Sequence, residues 1–278
     1  MTKRICVTGA SGRAGRVTVA ELLAHGYEVV ATDLVTPPDD LGTGVLLADL
    51  TDQGQAVEVL AGTDAVVHLA NIPAPEIRTP ATTFNANLTM NFNVFLAAAQ
   101  VRLERVVWAS SETTLGLPFD EPPDYAPVDE QHPLRPESSY ALSKVLGEEM
   151  ARQFSRWSGI PFVGLRWSNV MVRADYERFP SFWDDPQLRK WNLWSYVDES
   201  HVADSVRRAL FADIAGADAF IIAAADTVMK QPSRELMAEV FPGVPIREGV
   251  SGNDTLLGID KARRVLGYEP TFSWRTIL

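Results

Sequence analysis

Thr8-Gly9-Ala10-Ser11-Gly12-Arg13-Ala14-Gly15 joins a β-rich run, Arg4 to Thr8, to a helical pattern from about Arg13 to His25. A strand that turns through small residues directly into a helix lets backbone N–H groups approach a pyrophosphate at the positive helix end. The triplet Gly9, Gly12, Gly15 is weak in isolation, and its position between strand and helix gives it meaning. The residues around it repeat the alternation. Further β-rich runs occupy Glu28 to Asp33, Val45 to Leu47 and Ala65 to Leu69, with a helix from Gln53 to Ala61 between the last two. Such alternation predicts βαβ units and a parallel sheet. Gly26 follows the first helix and Gly62-Thr63 the second, where stop signals belong.

Working outward, Phe84 to Arg102 reads as a long helix, Arg105 to Ala109 as a strand, Glu137 to Ser158 as a second long helix and Pro161 to Arg166 as another strand. After Arg166 the pattern loosens. Phe179, Phe182, Trp183, Trp191 and Trp194 are separated by prolines and charges and fit no single helix or strand, so this stretch is expected to form a substrate-side cap. A helix at about Glu199 to Ala212, a strand near Phe220 to Ala223, and helices around Ser233 to Phe241 and Asp260 to Leu266 complete the chain. The expected division is a nucleotide-binding core with its catalytic helix over 1–166, and a small cap over 167–278 interleaved with the last core strand and helices. The proline-rich stretch Pro118 to Pro136 reads as a long surface loop, a type that often serves as a lid.

The chain has 278 residues and is 46% hydrophobic, enough for one full core. Its formal charge of -11 argues against nucleic acid and anionic membranes and favours a small-molecule partner. Its single cysteine, Cys6, lies in a strand pattern and allows no intramolecular disulfide, which fits a reducing cytoplasm. The N-terminus shows no signal-peptide pattern, no stretch of about 18 apolar residues occurs, and no metal site is expected.

About eighteen residues beyond Gly15, the second strand ends in Asp33, where a carboxylate can bond the adenosine ribose hydroxyls and repel a 2′-phosphate. NAD is therefore expected in preference to NADP, although Arg13 could reach toward a phosphate. Asp49 and Leu50 could meet the adenine, or form a helix N-cap pair. Tyr140 and Lys144 lie one turn apart on a helix, where an ammonium can stabilise a phenolate. Bringing a phenol from its usual value near 10 to roughly 7 requires about 4 kcal/mol, which Lys144 and an oxidised nicotinamide are expected to share. Tyr140 would then be a competent base.

Taken together, these segments resemble the extended short-chain dehydrogenase/reductases, the NAD-dependent epimerase/dehydratase family. The similarity also rests on His68-Leu69-Ala70-Asn71, Asn87-Leu88-Thr89-Met90-Asn91-Phe92-Asn93, Ala109 to Gly116, Arg166-Trp167-Ser168-Asn169-Val170, Tyr196 to Ala203, and Leu266-Gly267-Tyr268-Glu269-Pro270. It implies a Rossmann-type, doubly wound α/β fold with a small C-terminal cap. By resemblance, Ser111 orients the reacting oxygen, Lys144 also holds the nicotinamide ribose, and Asn87 steadies the active-site helix or its water. The cofactor would lie on Gly9, Ser11, Gly12, Arg13, Ala14, Gly15, Asp33, Asp49, Leu50, Leu69, Ala70 and Asn71 as well as Tyr140 and Lys144. Substrate would meet Ser111, Glu112 and Asn169. The family likeness further implies a homodimer through the helices Phe84 to Arg102 and Glu137 to Ser158, although such helices can equally pack within one subunit.

The departures carry information too. Leu115 replaces the usual aromatic before the loop glycine, and Met171-Val172-Arg173 replaces a typical Tyr-Gly-Pro. About 110 residues follow Arg166, fewer than in many nucleotide-sugar enzymes, which suggests a smaller substrate. Only Glu112 follows the catalytic hydroxyl where dehydratases carry an acidic pair, which disfavours dehydration. The Ser110-Ser111-x-x-Thr114-x-Gly116 pattern is similar to that of uronate dehydrogenases. The expected activity is NAD-dependent oxidation or reduction of a small sugar, sugar acid or polyol, with Arg173 or Arg178 as a clamp for a carboxylate unless both are surface residues. An NAD-dependent sugar or nucleotide-sugar 4-epimerase is the alternative, and a non-catalytic NAD-binding regulatory protein is a third reading of a different class.

Overall fold

The strands β1 (Arg4–Thr8), β2 (Glu28–Asp33), β3 (Val45–Leu47), β4 (Ala65–His68), β5 (Arg105–Ala109), β6 (Phe162–Trp167) and β9 (Ala217–Ile222) form one parallel sheet in the order β3-β2-β1-β4-β5-β6-β9. A computed structural model describes residues 2–278. From β1 the chain builds outward through β2 and β3. It then returns to the other side of β1 through β4, β5, β6 and β9. The reversal lies between β1 and β4, and in open α/β sheets ligands occupy the crevice beyond the strand ends at that point.

Both faces of the sheet are covered, which is why its central strands are apolar almost throughout: β4 and β6 are buried along their whole length. On one face α2 (Gln53–Leu60), α3 (Pro80–Val101) and α4 (Ser139–Ser158) enclose a core centred on Phe95, Trp108, Phe154 and Phe162. On the other, α1 (Arg13–Ala24) and α5 (Glu199–Phe211) pack together. That core continues through Val7, Val163, Phe220 and Tyr268 into the C-terminal part. The two remaining helices, α6 (Ser233–Val240) and α7 (Asp260–Leu266), close this side.

The short strands β7 (Val170–Met171) and β8 (Val197–Asp198) pair separately, bracketing the tryptophan-rich segment. That segment folds as two 3₁₀ helices, Arg173–Phe182 and Pro186–Asn192. Its aromatics are packing elements. Tyr176 and Phe179 are buried against Tyr196, while Trp194 is fully enclosed and donates to the Pro186 carbonyl at 2.8 Å.

Two expectations change. The third helix begins at Pro80, four residues before its apolar pattern, because Thr79 accepts the Thr82 N–H and Pro80 takes the first helical turn. The 118–136 stretch is not a free lid. Phe119, Ala126, Val128 and His132 are buried, and the Ala126 and Val128 backbones bond to Pro245, Leu256, Arg247 and Gly258. A loop with its side chains in the core and its backbone paired lacks the freedom a lid requires.

Candidate active site

The glycine loop sits at the switch point. Gly9 has φ +69°, and a Cβ there would lie 2.6 Å from Ala70 N, so only glycine permits this approach to the end of β4. A Cβ at Gly15 would lie 2.1 Å from the Gly9 carbonyl, which explains the close seating of α1 on its loop. Thr8 ties the loop to β4: its hydroxyl accepts the Leu69 and Ala70 N–H groups at 3.1 and 3.2 Å and pairs with His68 Nδ1 at 2.8 Å. His68 Nε2 in turn meets Asn91 Oδ1 at 3.1 Å. Burial, with Lys144 adding to it, pulls His68 down to about 3, so it remains a neutral structural group.

The start of α1 suits a pyrophosphate. Its N-cap, Gly12, offers no side chain to the first-turn N–H groups, and the first turn holds no acidic residue. Asp33 is fixed by three backbone donors, from Ser11 at 2.8 Å, Leu34 at 2.7 Å and Val35 at 3.3 Å. A carboxylate held there suits ribose hydroxyls and opposes a 2′-phosphate. Arg13 does not contradict this, because it reaches away to Asp175 of the cap at 2.8 Å. Asp49 holds the Thr51 hydroxyl and N–H, and the cap of α2 is Asp52, so the alternative of an Asp49-Leu50 cap pair fails. Leu50 is buried, with its carbonyl bonded by Asn93. Asn71 keeps a buried Oδ1 without a partner.

The reactive side chains gather beyond β5. Ser111 caps the 3₁₀ turn Glu112–Leu115, and its hydroxyl accepts from the Thr113 N–H and Oγ1 at 3.2 and 3.0 Å, leaving its own hydrogen to donate. Ser138 caps α4 by accepting the Ala141 N–H at 3.0 Å, and this sets Tyr140 in the first turn. Lys144 donates to the Ala109 carbonyl at 2.7 Å and stands 5.4 Å from the centre of the Tyr140 ring. Tyr140, Lys144 and Ser111 are all buried.

Their proton affinities are set first by burial. Burial pushes Tyr140 up to about 12, with Ser111 opposing and the Glu112 charge adding. Burial pulls Lys144 down to about 7, against the pull of Glu148. Burial thus favours the phenol over the phenolate and also disfavours the charge on Lys144 that is expected to help lower Tyr140.

A buried network supports the catalytic helix from behind. Arg166 Nε and Nη2 grip Glu148 Oε1 and Oε2 at 2.8 and 2.7 Å, and Ser110 adds a bond to Oε1 at 2.6 Å. Glu148 is one turn beyond Lys144, so its helical spacing was available in the sequence as a signal. Ser110 is thereby a support, not the catalyst.

Glu112 is 4% exposed. It accepts from Ser168 Oγ at 2.6 Å, from Asn192 Nδ2 at 3.2 Å and from the Asn169 N–H. Burial pushes it up to about 7 despite those bonds and Arg189. Asn169 thus enters the site through its backbone, and its carbonyl also accepts the Val197 N–H at 3.0 Å. Ser168, Asn192 and Arg189 were not expected. Nothing in the irregular tryptophan-rich segment signals that its turns return to Glu112.

Asn87 bonds Ile72 through both polar atoms, accepting its N–H at 2.8 Å and donating to its carbonyl at 3.1 Å, so it clamps the loop after β4 and keeps one N–H and one lone pair for a further partner. Arg173 and Arg178 are exposed on the outer cap, where a clamp for a buried carboxylate would be screened by solvent.

Glycine loop, fixed Asp33 and buried Ser111, Tyr140 and Lys144 on a doubly wound sheet define a dinucleotide-dependent dehydrogenase/reductase fold. The chain belongs to the NAD dependent epimerase/dehydratase family, which it matches over residues 5–182, and it is an NAD-dependent enzyme. It is 32% identical to an L-arabinose 1-dehydrogenase (NAD(P)(+)) of Haloferax volcanii, over 99% of each chain. It is 28% identical to a uronate dehydrogenase of Pseudomonas syringae pv. tomato, over 65% of this chain and 64% of the other. Among solved structures it resembles a short-chain dehydrogenase/reductase superfamily protein of Agrobacterium tumefaciens with bound NAD, at TM-score 0.76 and 25% identity, over 99% of this chain and 94% of the other. No helix among the described residues is long and apolar enough to cross a membrane.

Proposed function

We propose that this enzyme oxidises a hydroxyl-bearing carbon of a small free sugar, sugar acid or polyol, with NAD as the hydride acceptor. The observation that carries the reading is the enclosure of Tyr140 and Lys144 beside Ser111, on the crevice that the glycine loop opens. Bound there, NAD supplies the hydride acceptor and a positive ring. Ser111 donates its free hydrogen to the substrate oxygen and fixes the carbinol carbon. Tyr140 takes the hydroxyl proton as the carbon loses hydride, leaving a carbonyl. Lys144, anchored on the Ala109 carbonyl, stabilises the phenolate and would hold the nicotinamide ribose. The Glu148–Arg166 grip holds this helix face in register with β5 and β6.

The relative at 32% identity over 99% of each chain is named for a free pentose, which supports a small unlinked sugar over a nucleotide sugar. The test follows NADH while the protein turns over free and nucleotide-linked sugars. One NADH released per free sugar consumed is the expected result. Isomerised sugar without NADH release would establish the epimerase reading instead. NAD binding with no turnover of any sugar would leave a regulatory NAD-binding protein.

We also propose that two copies pair through the outer faces of α3 and α4, where Phe92, Leu142, Leu146 and Trp157 are exposed. The lone buried Cys6, pushed up to about 12 by burial, fits work in the reducing cytoplasm.

A further inference from the structure

Next to Ser111, the Glu112 carboxylate and the Arg189 guanidinium are both buried and are joined through Asn192 and the Ser195 carbonyl. Arg189 is 5% exposed. It donates through Nη2 to the Ser195 carbonyl at 2.9 Å, and its Nε has no partner. The Phe182 and Trp191 rings lie 5.4 and 4.7 Å from it. Asn192 links it to the catalytic turn, because the same Nδ2 donates to Ser195 O at 2.9 Å and to Glu112 Oε1 at 3.2 Å. Burial pulls Arg189 down to about 10, with the nearby Glu112 charge working against that and Arg178 adding to it.

We propose that Glu112 reserves Arg189 and so restricts this site to uncharged sugars, excluding the carboxylated ones that a buried arginine would otherwise attract. The proposal rests on the dehydrogenase reading above and names its substrate class. A buried guanidinium beside a polyol site is by default a carboxylate receptor, since a planar fork matches a planar anion. Here the counter-charge is already built in, one residue from Ser111. A uronate would bring a second carboxylate toward one guanidinium among these buried groups, where two like charges cannot both ionise without cost. A neutral sugar brings only hydroxyls, and these can donate to Glu112 without adding charge. Glu112 is thus a specificity-determining residue.

The test uses pairs that share every ring stereocentre and differ only at the last carbon: D-galactose with D-galacturonate, and D-glucose with D-glucuronate. In the wild type, kcat/KM for NADH formation should favour the neutral member by about tenfold or more. Glu112→Gln keeps the size and removes the charge, and should shift that ratio toward the acid by about tenfold. A wild type that prefers the uronates, or a ratio unmoved in Glu112→Gln, overturns the proposal. Calorimetric binding of the same pairs to the NADH-loaded protein reads selectivity without chemistry. Preference for the neutral members there supports the proposal even if no NADH forms, in which case the dehydrogenase reading alone fails. Tighter uronate binding, or binding of neither member of either pair, overturns the proposal.

Discussion

Tyr140, Lys144 and Glu112 each hold a proton equilibrium displaced by burial, and each displacement has a direction that can be checked. Glu112 is the simplest. Its folded value of about 7 lies above the ordinary 4.5, so between those values the folded protein keeps a proton that the unfolded chain has lost. Stability therefore falls as pH rises through that window, by up to ~3 kcal/mol if the whole difference is expressed. Thermal melts of the wild type and Glu112→Gln should differ least near about pH 5, with the variant gaining as pH approaches about 8. Parallel melting curves across that range would contradict the buried-carboxylate account. At this scale the local part of the site was legible: Gly9, Gly12 and Gly15, then Tyr140 and Lys144, lie within one turn or loop of each other. Glu112 and Asn192 are 80 positions apart, and no spacing rule reaches across that distance.

Among the elements, α3 and α4 do two jobs. Their inner faces enclose Phe95, Trp108 and Phe154, while Phe92 (45% exposed) and Trp157 (62% exposed) stand on the outer surface. An apolar strip of this kind costs solubility unless it is covered. Light scattering should give twice the 30.6 kDa chain mass, and Trp157→Lys should lower it toward one. A wild type of single-chain mass at micromolar concentration would remove the pairing proposal. The helices themselves were readable from their periodicity, and their starts were set by Thr79-Pro80 and Ser138, which only the cap geometry distinguishes from neighbouring polar residues. The short cap turns were not readable, because the two 3₁₀ segments and the tryptophans in and beside them, Trp183, Trp191 and Trp194, follow neither a 3.6-residue nor a two-residue period.

In the whole molecule, the sheet order brings four separated segments to one crevice: the loop after β1, the ends of β4 and β5, and the first turns of α4. Alternation of strands and helices made that order foreseeable, since parallel connections are right-handed and leave few topologies. What it did not foretell is that the C-terminal part also returns to the site, where Asn192 bonds Glu112, and pins the 118–136 loop. All of this geometry serves one claim, that Tyr140 takes a proton while NAD takes the hydride. The most direct measurement is the rate of NADH formation in a single turnover with saturating NAD and sugar, for the wild type and Tyr140→Phe, alongside the NAD dissociation constant of each. The rate should fall by about 10²- to 10⁴-fold while NAD affinity holds. A Tyr140→Phe enzyme that forms NADH at the wild-type rate would contradict the account.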